Sequence, residues 1–368
     1  MNKRHLKNAE WSILVCTVLL IIIGLVAQYS ATLSSDLSAF KKQLTWLIIS
    51  IPILIIMVVI DYKIIARCSL VIYIATLLLL IAVLFTSAVN GAKSWFSIGS
   101  LSIQPGEFGK ISVVLMLAIA INKTNKGTKT EINKPLKLAG IIGICLGPVL
   151  LIALEPDYGT AISYIVSLIL MLFVAGIDKK YIIVSILLVV ILIPLLYFFV
   201  LPEHAKSRID VYLDPYTDPR GAGYNIIQSK LAIGAGGLFG LGWLQGTQTH
   251  LGFLYPKSTD FIFSVIGEEL GFIVAALIIV LYVILITKAI NVAKTAKDDL
   301  GSYIAMGIVG ILLFHVLENI GMTMGLLPIT GIPLPFISYG GSSLLTNMIC
   351  IGLLTNISMR RQKSMFIE

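Results

Sequence analysis

The 368-residue sequence predicts an all-α polytopic membrane protein of about ten transmembrane helices, with a large external loop at about 201–259 between the seventh and the eighth. Two compositional facts carry the class: 57% of residues are hydrophobic and only 12% charged, and the mean hydropathy is +0.96. Soluble domains average about 25% charged and about 45–50% apolar residues, so this chain lies well outside them. The third observation is spacing. Apolar runs recur at lengths near the ~20 residues that a helix needs to cross a bilayer.

In chain order the runs lie at about 11–30, 44–60, 68–87, 108–122, 138–154, 160–176, 181–200, 261–287, 301–327 and 341–358. The first follows a basic tail with Lys3, Arg4 and Lys7 and lacks a small-residue cleavage site, so it reads as a retained span and not a signal peptide. The fourth is preceded by Pro105, suited to a first helical turn, with Glu107 and Lys110 three apart on one face. The fifth and sixth are joined by Glu155-Pro156-Asp157-Tyr158-Gly159-Thr160, turn chemistry that also sets two acids at the surface. The eighth is entered through Tyr255-Pro256-Lys257-Ser258-Thr259-Asp260. On the ninth, His315 and Glu318 lie three apart and face one way, a spacing that suits a helix-to-helix hydrogen bond. The uncharged segment 331–343, which includes Ser338, precedes the tenth and reads as a source of shape and hydroxyl contacts. No soluble domain or tandem repeat interrupts residues 1–368, which read as a single integral membrane domain.

An even number of spans puts both termini on one side. With the termini cytoplasmic, 18 of the 27 Lys and Arg residues fall inside, which is the expected bias. Twelve of the 19 acids then lie outside or in spans entered from outside. The external face is therefore where chemistry is expected. The net charge of +8 resides largely in short loops flanking spans, where orientation and anionic membrane lipids account for it, so no nucleic-acid partner is expected. Cys16, Cys68, Cys145 and Cys350 lie in or beside apolar runs without CxxC spacing, and neither disulfides nor a zinc site is indicated. His204 and His250 also lack metal-ligand spacing.

Asp260 is the most informative acid, because a carboxylate at a membrane entrance is costly to insert. Glu268, eight residues and about two helical turns on, falls on the same stripe, so that an apolar wall could hold both against a shared cavity, and Glu269 follows it. Trp95 sits in an external segment that runs on to Glu107 and Lys110, where a membrane-interface role also fits. The glycine-rich run 234–242 permits close backbone approach, either to a phosphate or at membrane depth.

These motifs resemble the bacterial SEDS family (shape, elongation, division and sporulation). The resemblance runs from the first span to the tenth and rests on Gln228–Gly237, Gly246-Thr247-Gln248-Thr249, Ser258–Glu269 and Asn319–Ser343. Gly246–Thr249 and Met322–Met324 look closer to the elongation branch than to the division branch. The sequence departs from the usual pattern at Gly106, Ser258, Leu241 and the Lys42-Gln43 pair, where serine, histidine, lysine and Arg-Gln are common. The resemblance implies a peptidoglycan glycosyltransferase that polymerises lipid II at the outer face of the bacterial cytoplasmic membrane, with a class B penicillin-binding protein (a transpeptidase) as partner. It also implies Asp260 as the essential acid, and Trp95, Glu107, Lys110, Asp157 and Glu268 as matching supporting positions.

The reaction expected from that resemblance is inverting glycosyl transfer between lipid-linked disaccharides. Asp260 would take the proton of the attacking hydroxyl as general base. The departing lipid diphosphate needs cations, N–H groups or a divalent metal such as Mg or Mn, and the expected cations are Lys110, Arg208 and Lys42 in falling order. Two rival classes remain: a transporter that flips lipid II or moves an ion, which acids at membrane depth also fit, and a non-catalytic scaffold for the penicillin-binding protein.

Overall fold

A computed structural model of the chain describes residues 8–33, 37–86, 93–98, 101–126, 130–199, 203–221 and 223–361. Each predicted apolar run falls on a helix. Eight helices are long and apolar enough to cross a membrane: Trp11–Leu33, Ser38–Val59, Pro105–Thr124, Pro135–Leu154, Tyr158–Ala175, Ile262–Lys294, Asp299–Thr323 and Gly341–Arg360. Ser69–Val83 and Lys179–Phe199 occupy the third and seventh runs. Apolar side chains such as Val15, Ile48, Leu78, Leu187 and Val283 are exposed on the outward faces, as a lipid-facing surface requires. The chain is a multi-pass membrane protein.

The most enclosed element is Gly341–Arg360, which packs against Ser38–Val59, Pro105–Thr124 and Asp299–Thr323 and is buried along nearly its whole length. Its first residue has no room for a side chain, because a Cβ at Gly341 would collide with the Trp46 ring. Asp299–Thr323 crosses Tyr158–Ala175 just as tightly, and a Cβ at Gly310 would lie 2.6 Å from Ser167 Cα. Helices in lipid gain little hydrophobic drive from meeting each other, so close backbone approach at small residues supplies the contact instead.

The two ends of this bundle differ in chemistry. At one end Asn356 Nδ2 donates to Met57 O (2.7 Å), Val58 O (3.0 Å) and Ile60 O, satisfying carbonyls where Ser38–Val59 stops. Ion pairs Arg360–Asp61 (3.2 Å), Lys63–Asp298 (2.6 Å) and Arg361–Glu10 (3.2 Å) join neighbouring helices there. The opposite end carries a small antiparallel hairpin, Phe96–Ile98 with Leu101–Ile103, the 155–157 turn, the 255–260 turn and the 328–340 segment.

The stretch expected as the large external loop is partly helical. Glu203–Leu213, Tyr224–Ala235 and the single turn Thr247–His250 lie within it. Tyr224–Ala235 rests on the bundle, where Ser229 Oγ meets Ser264 Oγ at 2.6 Å and donates to Thr323 O at 2.6 Å. The glycine-rich run packs backbone against backbone. Ile262–Lys294 breaks at Gly271 (φ 75°, ψ −175°), which frees main-chain groups on both sides of the break. Leu241 N and Gly242 N donate to Glu268 O (2.9 Å) and Glu269 O (3.1 Å), while Phe272 N donates to Gly237 O (2.9 Å). These groups would otherwise be unpaired at membrane depth, and the close approach explains the glycines.

Candidate active site

A cavity of about 1190 Å³ opens at the hairpin end of the bundle, lined by Asp260, Glu107, Asp157, Trp95, Lys257 and Tyr339 among others. Asp260 does not lie on the helix with Glu268. It ends a turn, Phe261 caps the following helix, and the helix begins at Ile262. The expected shared stripe therefore fails, for the physical reason that the 3.6-residue period starts only after Asp260.

Three successive carbonyls of that turn are each held from elsewhere in the fold. Tyr339 N donates to Ser258 O (2.8 Å), Ser338 Oγ to Thr259 O (2.6 Å) and Asn319 Nδ2 to Asp260 O (3.0 Å). Asn319 also donates to Ile332 O (2.9 Å), and Ser338 Oγ accepts from Leu334 N (2.8 Å). Asp260 is thus stitched to the 330–339 segment, where Gly331 holds a positive φ of 76° and a Cβ on it would be in ordinary van der Waals contact, 3.5 Å, with Asp260 Oδ2. Backbone held at three consecutive residues fixes the point from which the Asp260 side chain leaves the main chain, which a positioned proton acceptor requires.

Beneath one wall runs a buried charged network. Lys110, 2% exposed, donates to Glu107 Oε1 (2.7 Å) and to His315 Nε2 (2.8 Å). An ammonium has no acceptor, so Nε2 accepts, the hydrogen lies on Nδ1, and Nδ1 donates to Pro333 O (3.1 Å). Glu107 reaches the cavity wall through this pairing, but Lys110 itself does not line the cavity. Nearby, Asp157 caps Tyr158–Ala175 by accepting from Thr160 N (3.1 Å) and accepts from Gln104 Nε2 (2.7 Å). Glu155 is completely buried with neither carboxyl oxygen hydrogen-bonded among the described residues. Burial pushes its carboxyl up to about 8, and the nearby charge of Asp157 adds to the rise, while the Ser94 hydroxyl bonds the Glu155 main-chain carbonyl (3.4 Å) and not the carboxyl.

Glu268 is also fully buried and does not line the cavity. It accepts from Gln248 N (2.7 Å), Thr249 N (3.0 Å) and Thr249 Oγ1 (2.7 Å), clamping the Thr247–His250 turn. Glu269 accepts from Ser30 Oγ (2.6 Å) and lies 3.1 Å from His250 Nε2. Of the pair His315 and Glu318, His315 makes the expected helix-to-helix bond, to Lys110, and also grips Pro333, whereas Glu318 accepts from Thr330 Oγ1 (2.9 Å) in the 330–333 segment.

Of the residues expected from the sequence, Asp260, Glu107, Asp157 and Trp95 line one cavity, and Lys110 and Ser338 bond to residues on its wall. Lys42 is half-buried and not on the wall, and the Arg208 side chain falls outside the described residues. Asn319 and Lys257 were missed. An asparagine inside an apolar run was the available signal for the first, and a lysine three residues before Asp260 for the second. Among the described residues no group of three or more His, Cys, Asp or Glu is arranged to hold a metal ion. The nearby carboxylates Glu107 and Asp157 are engaged by Lys110, Gln104 and Thr160.

A family model that joins FtsW, RodA and SpoVE, described as cell cycle protein, matches residues 10–363. The chain belongs to the FtsW/RodA/SpoVE family. Among its relatives, the peptidoglycan glycosyltransferase MrdB of Escherichia coli (strain K12) is 38% identical over 354 residues, 94% of each chain. The peptidoglycan glycosyltransferase RodA of Treponema pallidum (strain Nichols) is 32% identical over 437 residues, 98% of this chain and 100% of its own. A solved chain from a peptidoglycan synthase complex, a structure concerned with the coordination of polymerization and crosslinking, superposes with a TM-score of 0.83 at 27% identity, covering 97% of this chain and 99% of that one. In this member of the FtsW/RodA/SpoVE family, the match therefore spans both the bundle and the cavity-bearing end.

Proposed function

We propose that the chain is a peptidoglycan glycosyltransferase that joins lipid II units into glycan, with Asp260 as general base. The observation that carries the assignment of the base is the Asp260 turn, whose carbonyls at Ser258, Thr259 and Asp260 are each held by a separate donor beside a large cavity. In this reaction the acceptor sugar's hydroxyl oxygen attacks the anomeric carbon of the donor. The hydroxyl proton passes to the Asp260 carboxylate, and the bond from the anomeric carbon to the diphosphate oxygen breaks with its electron pair leaving on the diphosphate, which inverts the centre. A diphosphate leaves readily, so no second, proton-donating acid of the glycosidase kind is required. Glu107 and Asp157 shape the wall, and Lys110 holds Glu107 from below.

The excess of Lys and Arg in alternate connections supports termini in the cytoplasm and the cavity on the outer face. The lipid tails then lie among the exposed apolar helix faces while the sugar and diphosphate enter the cavity. A class B penicillin-binding protein is the expected partner, consistent with the relative solved within a peptidoglycan synthase complex. Asp260→Asn keeps the shape of the side chain and removes the base, which costs about 10²–10⁴-fold in rate. Polymerisation of lipid II by the purified protein with its partner reads this out directly, and an unimpaired variant would remove Asp260 from the mechanism.

A further inference from the structure

The cavity wall is short of positive charge for a site that must release a diphosphate. Glu107, Asp157 and Asp260 line it, and among the described residues Lys257 is the only Lys or Arg that does, with His250 beside it. Lys110 is spent on Glu107 and His315 under the wall.

Lys257 is not a loose surface lysine. It is half-buried and its Nζ donates to Thr249 O at 2.7 Å. Thr249 is itself fully buried, and Glu268 fixes it through its amide and its hydroxyl. The ammonium is therefore placed by a chain of contacts that runs from Glu268 through the Thr247–His250 turn to the cavity. Lys257 also lies in the same turn as Asp260, three residues earlier. Burial lowers the Lys257 pKa while Glu269 raises it, so the site penalises the bare cation and would gain from an anion brought beside it.

Resting on the reaction above, we propose that Lys257, flanked by His250, forms the subsite that takes the diphosphate of the lipid-linked donor, and that Glu268 is its positioning residue. When the bond from the anomeric carbon to the diphosphate oxygen breaks, the electron pair remains on the diphosphate and the Lys257 ammonium offsets that charge. This gives the clamp that Glu268 makes on the Thr247–His250 turn a consequence at the cavity wall. The same charge chemistry would also attract a bilayer phosphate headgroup, and the test separates the two sources.

Equilibrium binding of farnesyl diphosphate to the full-length protein in detergent, followed by calorimetry, is the direct measurement. Lys257→Gln is expected to weaken binding by about tenfold, the loss of one charge-assisted contact. Lys257→Arg, which keeps the charge, is expected to stay within about threefold of the parent. Glu268→Gln is expected to weaken binding as well, and the double variant to be no weaker than Lys257→Gln alone, since both act on one subsite. Farnesyl monophosphate should bind more weakly than the diphosphate, and phosphatidylglycerol should not displace it. Undiminished affinity in Lys257→Gln, or an Arg variant as weak as the Gln variant, overturns the subsite. Equal competition by phosphatidylglycerol reassigns it to bilayer headgroups and also overturns the proposal, while Glu268→Gln with parental affinity overturns the positioning role. Turnover by Asp260→Asn is measured alongside. Binding retained with turnover lost leaves both proposals standing, whereas turnover retained sinks the general base without touching Lys257.

Discussion

Asn319→Ala removes the two donors that tie the Asp260 turn to the neighbouring segment. Asn319 is fully buried, and its amide nitrogen serves Asp260 O at 3.0 Å and Ile332 O at 2.9 Å. Each stranded carbonyl costs about 1–3 kcal/mol, so the loss of stability lies at about 2–6 kcal/mol, with the low end expected where neighbouring groups in the membrane find substitute partners. The kinetic effect follows a different route. Asp260 retains two grips, Tyr339 N on Ser258 O and Ser338 Oγ on Thr259 O, so the turn loosens without detaching. A misplacement of about 1 Å in a catalytic group costs about 10²-fold, and partial loosening is expected to lower kcat by about 10- to 100-fold. KM should move little, because Asn319 does not line the cavity. The assay is polymerisation of lipid II by the purified protein with its partner, at saturating and limiting substrate, together with a thermal melt in detergent. A well-folded Asn319→Ala with parental kcat would refute the idea that the anchored turn positions the base, and so would a change confined to KM.

Other consequences are independent of that turn. Because the Glu155 carboxyl is raised from 4.5 to about 8, the unfolded chain loses this proton at a lower pH than the folded protein does. Its contribution is fully present below pH 4.5 and is lost as pH rises to about 8, by about 5 kcal/mol at most, so Glu155→Gln should flatten the pH dependence of the melting temperature and stabilise the protein above pH 8; a variant that tracks the parent across this window contradicts the assignment. Lys110→Met strands the buried Glu107 and should cost about 3–5 kcal/mol, whereas adding Glu107→Gln should recover most of it, as thermal unfolding of the three variants will show. Glu268→Gln weakens the clamp on Gln248 N and Thr249 N, and hydrogen exchange at residues 246–250 should accelerate at least severalfold, with unchanged protection arguing against the clamp.

Helix placement was largely legible because apolar runs of span length have few alternatives in a chain this poor in charge. Glu107 and Lys110 were legible as a pair because i and i+3 meet on any helix. What failed were inferences that needed the chain to continue a local pattern. The Asp260–Glu268 stripe assumed helix before Ile262, and the turn there is dictated by carbonyl partners some 60 to 80 residues away, at Asn319, Ser338 and Tyr339. The glycine run suited a phosphate as well as a backbone until the break at Gly271 supplied carbonyls and amides for it. Lys110 drew attention as a cation, but a charge beside a carboxylate and an imidazole in the bundle interior is already committed. Lys257 was overlooked because its placement depends on Thr249, and nothing in the local sequence announces that contact.

The central claim is that the carboxylate of Asp260 takes the acceptor's proton. Polymerisation of lipid II by Asp260→Asn, purified with its partner and compared with the parent over a pH series, tests it most directly. A fall of about 10²–10⁴-fold in kcat, with retained partner binding and retained affinity for farnesyl diphosphate, is the predicted result. Parental kcat in a folded Asp260→Asn would contradict it, and normal polymerisation accompanied by loss of lipid II flipping would point to transport instead.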